Sequence, residues 1–236
     1  MADKYNYFMV DDIPFLCVIT PIFDGALEAL KLLIEALKKQ TMKDFVHVMI
    51  SAGPSENIHK LVKSFSDPRF VYDEYAALKT EGREDLIASL GERRTYGIKK
   101  YKAHRYVLLD ADLKIISDDY FLELHRHHHD ATILLTKIWK WGSVKTGPPT
   151  VLPKYPLTRG RIDLANISFS REIADNPKCV YPSDMGLYGG RDGDWRFFEN
   201  IHNPSYKPLS IVSAIYNGNS TYQSVSSKMD KTPNGI

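Results

Sequence analysis

Two carboxylates one residue apart, in Leu108-Leu109-Asp110-Ala111-Asp112, carry the sharpest chemical signal in the chain. They follow Tyr106-Val107-Leu108-Leu109, an apolar run that reads as a strand buried on both faces. Alternate side chains of a strand share a face, so Asp110 and Asp112 are expected to converge on one cation. Hard oxygen donors suit Mg2+ or Mn2+, ions that also bind diphosphate oxygens. The competing reading is plainer: Asp112 caps a turn and Asp110 is an edge acid. Position at the end of a buried strand, where open α/β sheets bind ligands, favours the cation site.

A second constellation is Gly189-Gly190-Arg191-Asp192-Gly193-Asp194-Trp195. Glycines bring backbone close to a ligand, and an acid at a helix start is favoured by the helix dipole. Asp192, with Asp194 as understudy, reads as a general base taking a proton from an attacking hydroxyl; a turn with a helix cap is the alternative. Trp139 and Trp141 offer flat rings that suit the face of a sugar, with at most one expected to face an acceptor because the two should take opposite sides. His125, His127, His128 and His129 have only Asp130 as an acidic neighbour and are expected to form a solvated helix end with weak adventitious metal affinity.

These groups need a scaffold, and the first 138 residues supply a repeating one. Phe15-Leu16-Cys17-Val18-Ile19, 45–50, Phe70-Val71-Tyr72, Tyr106-Val107-Leu108-Leu109 and 131–138 read as strands. Between them, Leu27, Leu30, Leu33, Ile34 and Leu37 make a helical stripe, Asn57 is placed to cap a short helix, and 85–100 repeats the helical period. Alternating strands and helices predict an α/β fold with a mostly parallel central sheet and helices on both faces. Residues 139–161 read as one long loop, 162–169 and 209–216 as strands, and 192–201 as a short helix.

Taken in order, Val18-Ile19-Thr20-Pro21-Ile22-Phe23, a helix ending Lys39-Gln40, Arg94-Thr95-Tyr96-Gly97-Ile98, Leu109-Asp110-Ala111-Asp112 and Gly189-Gly190-Arg191-Asp192 resemble a GT-A glycosyltransferase of the family 2 type. The resemblance spans roughly residues 14 to 201 and rests on the order of motifs that are each weak alone. It implies a single Rossmann-like domain over 1–236, with a nucleotide-donor half at 14–138, an acceptor half at 139–216 and a loose tail at 217–236. It implies an inverting, metal-dependent transfer of a sugar, from a UDP-sugar above other donors, to a hydroxyl of a saccharide, a lipid-linked acceptor or a protein. Thr20, Pro21 and Phe23 would line the nucleoside pocket, Ser51 would stand where the base is read, and Arg94 would face the diphosphate or ribose. Asp110 and Ala111 would meet the donor, Asp110 and Asp112 the Mn2+ or Mg2+, and Asp192 would be the base. Gly190, Arg191 and Asn166 would lie by the sugars, and His202 would be a late metal ligand. The chain departs from the family at Ser51-Ala52-Gly53, where acids are usual, at Thr95 in place of Asn, and at Arg191 in place of Glu.

Composition fits this reading and removes others. Of 236 residues, 31 are Lys or Arg and 29 Asp or Glu, for a net charge of +2, so no polyelectrolyte argument favours nucleic acid. Cys17 and Cys179 lie far apart and read as small core residues, which suits a reducing compartment. The polar start of the chain is unlike a signal peptide, and no apolar run approaches the ~20 residues of a membrane span. A cytoplasmic protein is expected, with peripheral membrane contact left open. Two competing functions stand beside the transferase. A sugar nucleotidyltransferase would open with a Gly-rich, Lys/Arg-bearing loop, which Thr20-Pro21-Ile22-Phe23-Asp24-Gly25 lacks. A nucleotide-sugar-binding domain of weak activity would fit Arg191 and Ser51-Ala52.

Overall fold

The computed structural model describes residues 13–75, 83–141, 150–154, 157, 162–180, 193–201 and 206–217. Among the described residues, nine strands form one sheet in the order β3-β2-β1-β4-β8-β6-β9-β5, with β7 added on β6. They are β1 (Leu16–Ile22), β2 (Phe45–Ser51), β3 (Phe70–Glu74), β4 (Arg105–Leu108), β5 (Lys114–Ile115), β6 (Ile133–Trp141), β7 (Thr150–Leu152), β8 (Ile167–Ser170) and β9 (Tyr206–Asn217). β3, β2, β1 and β4 pair in parallel. Beyond them β8 runs against both β4 and β6, while β6 and β9 run parallel to each other. Most strands therefore share one direction, and β5, β7 and β8 oppose it.

The β1 sequence shows why helices cover both faces. Leu16, Val18 and Ile22 pack with Leu30, Leu33, Ile34 and Leu37 of α1 (Leu27–Lys39) and Ile58 and Val62 of α2 (Glu56–Ser64). Cys17 and Ile19 point the other way, toward Ile98 of α3 (Arg83–Lys100), Ile173 of α5 (Arg171–Asp175), and Phe197 and Phe198 of α6 (Gly193–Ile201). Tyr120 to Arg126 form α4, whose Phe121 and Leu124 join the first face. Every residue of β1 is buried, and all but Thr20 are apolar, as burial on both faces requires. Both cysteines are buried and unbonded, as expected. Burial pushes the Cys179 thiol up to about 12 and Cys17 higher still, so neither is a reactive thiolate.

Several local expectations change. Ser55, not Asn57, caps α2: its Oγ accepts from the Ile58 N–H at 3.2 Å. Residues 139–161 are not one loop, since β6 continues through Trp141 and β7 pairs with it. Trp139 is half-buried on β6, and the side chain of Trp141 lies outside the described residues. The last strand starts at Tyr206 and ends at Asn217, so the tail is shortened to 218–236, which lies outside the described residues. Among the described residues no helix is long and apolar enough to cross a membrane.

Candidate functional site

The carboxyl ends of β1, β2 and β4 meet at one edge of the parallel half, where strand order turns from β1 toward β4. Crevices at such a point are where open α/β sheets take ligands. β4 ends at Leu108, and Leu109 still donates its N–H to the Ile19 carbonyl at 3.1 Å. The chain then turns: the Leu113 N–H reaches back to the Asp110 carbonyl at 3.2 Å. Asp110-Ala111-Asp112 therefore form a turn rather than the strand tip expected from alternation, and it is the turn that places both acids beyond the end of β4.

Arg94 of α3 donates from Nη2 to Asp110 Oδ1, with the Arg94 side chain 7% exposed and that of Asp110 45%. The arginine is thus anchored inside and the carboxylate opens outward. α3 sits close enough to do this because residue 97 is glycine. A Cβ there would fall 2.7 Å from Ile50 Cδ1 and 2.8 Å from Ile19 Cγ2, inside any real contact. The preceding residue, Arg93, is fully buried, and its Nη1 donates to the carbonyls of Ile22 and Ile50 at the ends of β1 and β2. Sequence reading passed over Arg93, although Leu90, Arg93, Arg94, Gly97 and Ile98 follow the inward helical period.

The turns after β1 and β2 are tied to each other. Ser55 Oγ donates to Asp24 Oδ1, and the Ser55 N–H donates to the Tyr72 hydroxyl at 2.7 Å. Gly53, at φ 117°, takes a backbone shape that side chains resist, which makes this tight turn possible. Ser51 is buried, and its carbonyl accepts from the Tyr75 N–H at 2.9 Å. Phe23 stands 53% exposed at the mouth of the β1 turn, an aromatic face left to solvent beside these groups. Thr20 is placed differently from a pocket-lining side chain: it is fully buried, 2.9 Å from His47 Nε2, and packed with the first core face. Pro21 is also buried, so these two shape the site through backbone. Ala111 is buried under the acidic turn.

Asn166 is fully buried and closes a capping box, its Oδ1 accepting from the Asp163 N–H at 3.3 Å. The His125 and His128 rings pack edge-on against Phe15 at 4.7 and 5.4 Å, at the amino end of β1, away from the acidic turn. His127 pairs with Asp130 at 2.7 Å. Among the described residues no group of three or more His, Cys, Asp or Glu is arranged to hold a metal. Gly190, Arg191, Asp192 and His202 lie outside the described residues, as does the side chain of Asp194; Asp192 immediately precedes α6 in the chain.

No protein-family model matches the chain, and no curated protein matches it by sequence. Solved structures do match. TarS of S. aureus, residues 1–349 in complex with UDP, superposes with a TM-score of 0.65 at 14% identity, over 86% of this chain and 60% of that one. Its UDP-GlcNAc complex gives 0.66 at 14%, over 87% and 59%. The mannosyltransferase PcManGT from Pyrobaculum calidifontis, in complex with GDP-Man and Mn2+, gives 0.59 at 12% identity, over 88% of this chain and 57% of that one. The chain spans about 60% of the TarS fragment's length. At such low identity the likeness speaks to architecture, and the architecture agrees with the order of motifs and the sheet just described: the chain carries the GT-A glycosyltransferase fold.

Proposed function

We propose that this domain transfers a sugar from a nucleotide-diphosphate sugar, a UDP-sugar before others, to an acceptor hydroxyl, with inversion at the anomeric carbon. One observation carries the reading: the Asp110-Ala111-Asp112 turn stands at the carboxyl end of β4 with Arg94 bonded to Asp110. The fold supports it, since structures of the same architecture hold UDP, UDP-GlcNAc, or GDP-Man with Mn2+.

The turn's donor set fits Mg2+ or Mn2+. Asp110 is half-exposed and Asp112 partly buried, both offering hard oxygens. Such ions commonly take one or two carboxylates and complete their shell with phosphate oxygens and water. His202 is a further ligand in this proposal. When bound, the metal would offset charge on the leaving diphosphate. The protein's own groups do the rest. Arg94 fixes the Asp110 carboxylate and adds positive charge beside the diphosphate. Phe23 covers the base, with Ser51 at the neighbouring strand end, while Thr20 and Pro21 set the backbone beneath. Trp139, Trp141, Gly190 and Arg191 form the sugar side, while Asn166, fully buried in its capping box, serves the scaffold instead. Asp192 removes the acceptor proton as the hydroxyl oxygen bonds to the anomeric carbon and the bond to the diphosphate oxygen breaks. Asp194 takes that role if the alignment is shifted by two.

Incubation with UDP-, GDP- and dTDP-sugars plus Mn2+ tests this directly. Release of a nucleoside diphosphate, and product NMR showing an inverted anomeric centre, are the expected results. Pyrophosphate chemistry would indicate a nucleotidyltransferase instead, and a retained anomeric configuration would remove Asp192 from its role as base.

A further inference from the structure

Arg93 carries a charge that its structural role does not explain. It is fully buried in α3, and every acceptor it reaches is neutral: the Ile22 carbonyl, the Ile50 carbonyl at 3.3 Å and the Ser89 carbonyl at 3.1 Å. Its Nη2 has no hydrogen-bond partner, and no ion pair of the described residues includes Arg93. Burial, with the neighbouring Arg94 adding to it, pushes its pKa down to about 10, which still leaves it cationic at neutral pH. A buried cation facing only carbonyls is costly, and a neutral amide would tie two strand ends together without that cost. The position of the charge matters: it lies under the carboxyl ends of β1 and β2, in the same helix turn as the arginine that holds Asp110.

We propose that Arg93 is a positioning residue of the donor site: it holds the ends of β1 and β2, and its unmatched charge favours an anionic diphosphate over a neutral ligand. The proposal rests on the donor reading above. No direct contact with phosphate is required. A charge in a poorly polarisable interior acts over a longer range than one in water, and salt screens it weakly. The bound anion then offsets part of the cost of burying the guanidinium. Because the effect depends on ligand charge, it is the same for any base.

The test compares the full chain with Arg93→Gln and Arg93→Lys, with thermal melts to establish folding. Affinities for UDP and GDP in Mn2+ are measured by calorimetry, and the nucleoside of the tighter ligand by NMR titration. Arg93→Gln is expected to weaken the diphosphate about tenfold and the nucleoside less than about twofold, while Arg93→Lys, which keeps charge but loses the planar fork, stays within about threefold for the diphosphate. Equal losses for nucleoside and diphosphate, or no loss, would overturn the proposal and leave Arg93 a strand clamp. If the Gln variant does not fold, the Lys variant decides: diphosphate affinity kept within about threefold is the expected result, and a loss of about tenfold or more despite the retained charge overturns the proposal. A wild-type chain that binds neither UDP nor GDP overturns the donor reading, and this inference with it.

Discussion

Both ends of the parallel strands bury arginine, and the two most deeply enclosed, Arg105 and Arg93, are solved differently. At the amino end Arg105, the first residue of β4, donates to Ser168 Oγ and to the carbonyls of His128, Ala131, Thr132 and Ser168, at 3.1 to 3.2 Å. At the carboxyl end Arg93 leaves Nη2 without a partner. Both are pushed down to about 10 by burial and both meet neutral acceptors. The amino end, with every nitrogen of the Arg105 side chain used and the His125 and His128 rings packed on Phe15, reads as scaffold. The carboxyl end, with an exposed Phe23, an outward Asp110 and the unpartnered Arg93 Nη2, is where the proposed donor site lies.

If that contrast holds, changes at the carboxyl end should alter binding and turnover, and changes elsewhere should alter stability. The largest effect is expected from Asp192→Asn, about a thousandfold loss of kcat with nucleotide affinity nearly unchanged, read by steady-state and binding measurements. Asp112→Ala should weaken Mn2+-dependent nucleoside diphosphate binding about a hundredfold or more in calorimetry, with the melting temperature little changed. Arg105→Gln should do the reverse, costing about 3 kcal/mol in denaturant unfolding because several buried acceptors lose their donors. Nucleotide affinity of the folded fraction should be retained; a large loss would break the contrast.

Gly97→Val joins the two behaviours. The added atoms meet Ile19 and Ile50, so stability should fall by about 2 kcal/mol, and α3 should shift enough to weaken nucleotide binding as well. The smallest and broadest effect concerns pH. Burial lowers the fully enclosed His47 to about 3. The unfolded chain binds this proton near pH 6.5 and the folded one does not, so stability is full above 6.5 and is lost as pH falls toward 3. The cost is about 2 kcal/mol at pH 5. His47→Gln should flatten that dependence in melts between pH 7 and pH 5.

Much of the scaffold was legible because its signals are local. Apolar runs such as Phe15 to Ile19 and stripes such as Leu30, Leu33, Ile34 and Leu37 state their burial in their own periodicity, and the order of motifs pointed to the GT-A fold. What was missed depends on distant partners. β5 is only Lys114–Ile115 and exists because β9 pairs with it, and β7 exists because β6 runs past Trp139. Thr20 looked like a pocket residue until His47, twenty-seven residues away, was seen to use its hydroxyl. The Asp110-Ala111-Asp112 site was found for a reason that needed correcting, since a turn and not strand alternation presents it. Arg93 was hidden by its type: a charged residue in an inward register reads as an exception until the carbonyls it serves are known.

The most direct test of the account is a crystal structure of the chain with UDP and Mn2+. The account predicts the diphosphate at the carboxyl ends of β1 and β4, the metal on the Asp112 carboxylate, the base against Phe23, and Asp192 across the cleft from the leaving group. A nucleotide bound elsewhere, or Asp192 on another surface with apolar side chains packed between it and the acidic turn, would contradict it.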